Sequence, residues 1–253
     1  MITAVATLAV ALIANNSNAH SALPEQPVSI VLVHGAFVDA SGWQAVYDIL
    51  TNDGFEVLIV QNPTVTLDGD VAAAARAIAR AKHPVILVGH SYGGMVITEA
   101  GNSPKVRSLA YIAAYAPDAG ESVETLAKEP APPEEPRAPL LPPQDGYLLV
   151  DPTKFATSFA ADVDPAKTHF MAAAQVPWGL EAVRTRITKA AWKTKPAHYL
   201  VTTKDAMIPP TAQRTMAKRA GATTVEVASS HAVMLSQPME VAAFIKRAAA
   251  EIK

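Results

Sequence analysis

The chain contains no cysteine. That absence removes disulfides, thiolate metal sites and a cysteine nucleophile together, without naming a compartment. Charge is also scarce: 17% of the 253 residues are charged, the formal net charge is −2, and no long basic run points to nucleic acid or an anionic membrane surface as a partner. Aromatic residues make up 6%, so a large flat hydrophobic partner surface is not an obvious feature. There is no H-E-x-x-H, no carboxylate cluster and no phosphate loop, so no metal and no organic cofactor is implied. What is abundant is hydrophobicity. Half the residues are apolar, enough for a large core in one domain of ordinary size.

The opening run ITAVATLAVALIA has 13 residues, short of the about 20 that a membrane span needs. Polar NNSNAH follows it, and Ser17 and Ala19 fit the small-residue pattern of a signal-peptidase site. No Lys or Arg precedes the run. The pattern predicts a signal peptide over 1–19 and a mature protein that is periplasmic or secreted, or cytoplasmic if the segment stays uncleaved.

Beyond the leader, short β-rich runs alternate with helical patterns. The runs are VSIVLV (28–33), EVLIV (56–60), PVILVG (84–89), VRSLAYIA (106–113), AHYLVT (197–202) and TTVEVA (223–228). Their near-continuous hydrophobicity suits strands covered on both faces. Helices are expected over about 41–52, 70–82, 93–102, 211–220 and 239–252. This alternation predicts a doubly wound α/β fold with a mostly parallel sheet. The rhythm breaks between 118 and 194, where no clear strand is expected. There EPAPPEEPRAPLLPPQ (129–144) holds seven of the 20 prolines, which reads as an extended connector. Helical patterns follow at 152–161, 165–175 and 178–190. The core is thus expected over 20–117 and 195–253, with 118–194 inserted as a lid.

GHSYG at 89–93 matches G-x-S-x-G between an expected strand and an expected helix. A sharp turn there would lift the Ser91 hydroxyl clear at the carboxyl end of the sheet. A serine needs a base and the base needs an orienting acid. His231 and Asp205 each follow an expected strand, in the order Ser, acid, His. Asp118, which also follows a strand, is the rival acid. His34 and His90 adjoin motif glycines and read as structural, and His198 reads as a core or edge residue. The amides of Ala36, after the first strand, and Tyr92, after the nucleophile, are the expected oxyanion donors. Phe37, Tyr115, Trp178 and Met234 are candidate walls of an apolar pocket.

With these pieces in place, the chain resembles the α/β-hydrolase superfamily over nearly its whole mature length. LVHGAFVDASGW, VILVGHSYGGMVI and SSHAVMLSQP look like the branch of methylesterases and hydroxynitrile lyases, with bacterial esterase-like members. The lyases of that branch typically carry threonine where this chain has Gly35, an acidic residue where it has His90, and lysine where it has Ala232. The resemblance therefore implies a serine hydrolase that cleaves a small-molecule carboxylic ester through an acyl-enzyme. The alternatives are a hydroxynitrile lyase or cofactor-free peroxidase-type enzyme on the same triad, and a non-catalytic ligand-binding homologue.

Overall fold

The computed structural model describes residues 27–130 and 132–252; the expected leader over 1–19 lies outside them. In chain order the elements are β1 (Ser29–Val33), α1 (Gln44–Asn52), β2 (Glu56–Val60), α2 (Leu67–Arg80), β3 (Val85–His90), α3 (Gly93–Ala100) and β4 (Val106–Ile112). There follow α4 (Val123–Leu126), β5 (Tyr147–Leu148), α5 (Pro152–Phe159), α6 (Pro165–Ala173), β6 (Trp178–Gly179) and α7 (Leu180–Arg184). Last come β7 (Ala197–Thr202), α8 (Pro210–Arg219), β8 (Thr223–Val227), α9 (Val233–Ser236) and α10 (Pro238–Ala250).

Six of the strands form one parallel sheet in the order β2-β1-β3-β4-β7-β8. Successive residues of each central strand feed opposite cores. Val31, Leu87 and Tyr111 join the cluster that includes Ala74, Val96 and Met216 of α2, α3 and α8. Leu32, Val88 and Ile112 join Val46, Phe244 and Ile245 of α1 and α10. Burial on both faces is why these strands read as unbroken apolar runs. The chain winds one way from β1 to β2, then crosses back to place β3 on the other side of β1. That reversal leaves a crevice beyond the carboxyl ends of β1 and β3, the usual ligand position in such sheets.

The segment 118–194 departs from expectation in two places. β5 and β6 pair antiparallel, although no strand is expected there. The helix expected over 178–190 is only α7, five residues long. Backbone bonds to other parts of the chain take the rest: Gly179 N–H donates to Thr64 O at 2.8 Å, Ile187 N–H to Glu121 O at 3.0 Å, and Gly120 N–H to Ile187 O at 2.9 Å. Among the described residues, the proline-rich stretch holds isolated bridges but no helix. Among the described residues no helix is long and apolar enough to cross a membrane.

Candidate active site

Ser91 occupies the one-residue hinge between β3 and the Tyr92 that caps α3, with φ +55°. A left-handed conformation at a residue with a Cβ costs about 1–2 kcal/mol, so it persists only where the surroundings impose it. Here the Ser91 amide donates to Ile112 O at 3.2 Å, and its carbonyl accepts from Gly94 N at 3.0 Å and Tyr115 N at 3.1 Å. The flanking glycines allow the packing. A Cβ on Gly89 would lie 2.7 Å from Gly93 O, and one on Gly93 would lie 2.8 Å from both Val33 O and His34 O.

His231 follows β8, and Asp205 follows β7. The two are fully buried and joined, Nδ1 to Oδ2, at 2.7 Å; His231 Nε2 stands 2.8 Å from Ser91 Oγ. With a carboxylate facing Nδ1, that nitrogen carries the proton and donates. Nε2 is then bare and accepts the Ser91 hydroxyl. The Asp205 carboxylate is itself held on both oxygens. Oδ1 accepts from Met207 N at 2.8 Å and Ile208 N at 2.9 Å, and Oδ2 from Thr202 Oγ1 and Gln213 Nε2, each at 2.8 Å. The rival Asp118 pairs instead with Lys193 Nζ at 2.5 Å, a bond that holds its carboxyl below the usual range.

Sequence reasoning missed several residues that hold these groups. Gln213, fully buried on α8, also donates to Ile208 O at 2.9 Å and accepts from Thr202 N at 3.1 Å. A helix-borne glutamine eight residues past Asp205 carries no signal in sequence. Asp162 accepts from Ser229 Oγ at 2.8 Å, from Ser230 N at 3.0 Å and from Ser230 Oγ, tying the segment 118–194 to the loop that carries His231. Phe159 accepts from Ala232 N at 2.9 Å and sets its ring edge-on to His231, centroids 4.9 Å apart. Tyr92 donates its hydroxyl to Asp70 Oδ2 at 2.6 Å, and Asp70 Oδ1 accepts from Thr64 N at 2.8 Å. Burial pushes the Asp70 carboxyl up despite those donors.

His90 donates Nε2–H to the His231 carbonyl at 2.9 Å. Burial, reinforced by the neighbouring His231, pushes its pKa well below the ordinary value; burial likewise lowers His34. Both shifts keep the folded imidazoles neutral to lower pH than an unfolded histidine, which takes a proton near pH 6.5. Stability is therefore complete above that pH and lost as pH falls below it, by up to about 1.4 kcal/mol per pH unit for each histidine. Urea unfolding at pH 7.5 and 5.5 measures the slope, and His90→Gln is expected to make it shallower by up to that amount. An unchanged slope in the variant would contradict a neutral His90.

Among the described residues neither the Ala36 nor the Tyr92 amide donates to a protein acceptor. Ser91 opens into a cavity of about 400 Å³ lined by Ala36, Phe37, Tyr115, Trp178, Met207 and Ile208. Residues 118–194 add Val123, Leu126, Leu140, Leu148 and Val183 to its wall. Phe37 meets Trp178 edge-on at 5.4 Å. Met234 does not line this cavity, contrary to expectation. On α9 it turns away into the core shared with Trp43 and lines a separate, smaller cavity. Among the described residues no group of three or more His, Asp or Glu is placed to hold a metal ion.

A family model described as "Alpha/beta hydrolase family" matches residues 30–244. The alpha/beta hydrolase nvfD of Aspergillus novofumigatus is 29% identical over 246 residues, which span 88% of this chain and 97% of that one. A carbendazim hydrolyzing esterase of Nocardioides sp. is 36% identical over 120 residues, 42% of this chain and 50% of the relative. Among solved structures, the pyrethroid hydrolase PytH superposes with a TM-score of 0.77 at 24% identity, covering 89% of this chain and 99% of that one.

Proposed function

The chain belongs to the alpha/beta hydrolase family, and from that premise we propose that it cleaves carboxylic esters through Ser91, His231 and Asp205. The observation that supports this reading most is the unbroken line of hydrogen bonds, 2.8 Å from Ser91 Oγ to His231 and 2.7 Å from His231 to Asp205, at the floor of an apolar cavity. Ser91 Oγ attacks the acyl carbon as His231 Nε2 takes its proton. Asp205 stabilises the imidazolium and keeps its ring in place. The carbonyl oxygen, now an oxyanion, receives the N–H groups of Ala36 and Tyr92. Collapse of the tetrahedral species breaks the ester C–O bond, and the departing alkoxide takes the proton from His231. Water then attacks the acyl-serine by the same route and releases the acid. Residues 118–194 serve as the lid, and Phe37, Tyr115 and Trp178 shape the acyl and alcohol pockets.

A lyase reading fits less well. A Cβ on Gly35 would lie 2.7 Å from Ser91 Cβ and 3.0 Å from His90 Nδ1, so a threonine there would displace the nucleophile. Ala232 also leaves no cation beside the base.

The test is intact mass after fluorophosphonate treatment, together with turnover of p-nitrophenyl acetate and butyrate. One stoichiometric adduct and measurable turnover are expected. Butyrate should exceed acetate in kcat/KM by about 15-fold, since each of its two extra methylenes gains about 0.8 kcal/mol on burial. Folded protein that forms no adduct would sink the esterase reading in favour of a ligand-binding homologue. Cyanide released from a cyanohydrin would revive the lyase.

A further inference from the structure

Trp178 forms part of the wall of the Ser91 cavity and is otherwise buried. Its indole N–H has no partner among the described residues, so no hydrogen bond of its own fixes the ring. Packing and backbone bonds hold it instead. Phe37 meets it edge-on, and the Tyr92 ring packs against it with centroids 5.2 Å apart. On the backbone, Gly179 N–H donates to Thr64 O at 2.8 Å. The Thr64 hydroxyl, which also points to Pro63 O, reaches Pro177 O at 3.2 Å. A Cβ on Gly179 would lie 2.1 Å from Val65 O, so the two chain segments are in close contact.

Two of these supports, the Thr64 turn and the Tyr92 ring, meet at one side chain. Asp70 Oδ1 accepts from Thr64 N–H at 2.8 Å, and Oδ2 accepts from the Tyr92 hydroxyl at 2.6 Å. Thr64 is fully buried at φ +58°, a conformation that a β-branched residue keeps only where its surroundings impose it. Asp70 is fully buried too, and does not line the cavity. A buried carboxylate costs stability; what it provides is two oxygens that each accept without donating. We propose that Asp70 is a positioning residue for ester recognition, fixing Trp178 from behind the cavity wall through Thr64 on one oxygen and Tyr92 on the other. This rests on the esterase reading only in naming an ester as the molecule that meets the wall.

The test reads position and binding rather than turnover. 5-Fluorotryptophan labelling gives fluorine-19 resonances for Trp43, Trp178 and Trp192, and Trp178→Phe identifies the one that matters. In Asp70→Asn, whichever way the amide turns, one of the two donors faces an NH₂ instead of an oxygen. The Trp178 resonance should shift. Those of Trp43, in the opposite core, and Trp192, bonded to Pro117 O, should stay in place. On a Ser91→Ala background, Asp70→Asn should raise Kd for p-nitrophenyl butyrate about fourfold, the loss of about one methylene of burial. Asp68→Asn is the control. Asp68 lies exposed on the same first turn of α2, so this change removes the same helix-end charge and should move neither reading. An unmoved Trp178 resonance in Asp70→Asn would overturn the proposal. So would equal movement of all three tryptophans, or the same shift in Asp68→Asn, because general loosening would then explain it. An ester that binds with unchanged Kd would overturn it as well. No ester binding even with Asp70 intact would count against the esterase reading, and the resonance alone would then confirm or overturn the hold of Asp70 on Trp178. Should Asp70→Asn fail to fold, Tyr92→Phe, which keeps the ring and cuts only the bond to Oδ2, takes its place with the same readings.

Discussion

Ser91→Ala is expected to lower kcat for p-nitrophenyl esters by about 10⁶-fold, the scale seen when a serine nucleophile that acts as one unit with its base is removed. KM should change little, because the Oγ contributes little to the apolar cavity wall that contacts the ester. The fold should survive. Ser91 is held by backbone bonds from Ile112, Gly94 and Tyr115, and none of them uses the hydroxyl. Its Oγ has one side-chain partner, His231 Nε2; a bare imidazole nitrogen facing an alanine methyl is the only bond given up. Thermal unfolding of wild type and variant should therefore nearly coincide, and the fluorophosphonate adduct should vanish with activity. Activity retained in Ser91→Ala would mean that the ester is cut elsewhere, however well the hydrogen bonds align.

The parts of this arrangement visible in the sequence share one property: they are local. GHSYG announces the turn because its glycines must sit where a Cβ would strike Gly93 O or Val33 O, and a strained turn can be read from five consecutive residues. The strands are legible because the sheet is covered on both faces, which leaves runs such as VSIVLV with no polar side to interrupt them. Asp205 and His231 could be assigned because each follows a strand, and a parallel sheet delivers all its strand ends to one edge. Residues joined only by the tertiary fold were not visible. Gln213 reaches Asp205 across a turn of helix entry, and Asp162 reaches Ser229 and Ser230 from nearly seventy residues away in the chain; neither pairing has a spacing rule. Apolar character alone makes Met234 a candidate wall residue and does not say which cavity it meets; it packs in the core shared with Trp43 and lines the smaller cavity. The segment 178–190 looked helical from composition, yet its backbone is committed to Thr64, Glu121 and Gly120. Tertiary bonds override local propensity where a segment packs as a connector.

Asp205→Asn is expected to cost about 10⁴-fold in kcat, as for the equivalent exchange in a serine-protease triad, and the local bonds say why. Met207 N–H and Ile208 N–H both donate to Oδ1, so the asparagine must keep its carbonyl oxygen there. Its amide NH₂ then takes the place of Oδ2, which in the wild type accepts from His231 Nδ1, Thr202 Oγ1 and Gln213 Nε2. Two donors would now face each other between Asn and Gln213. His231 could avoid a second such clash only by moving its proton to Nε2. In that tautomer Nε2 can no longer accept the Ser91 proton, and the base is lost although the imidazole stays in place. Reversing the amide would restore the histidine tautomer but leave Met207 N–H and Ile208 N–H facing a donor, so either orientation buries unmatched groups at about 1–3 kcal/mol each. Stability should fall in urea unfolding by that order. The double variant Asp205→Asn with Gln213→Glu separates the two effects. A protonated glutamate can accept from the asparagine amide while its O–H donates to Ile208 O in place of the Gln213 amide, so it should recover stability without recovering kcat. Recovery of both would mean that Asp205 acts by holding the fold rather than by fixing the proton on His231.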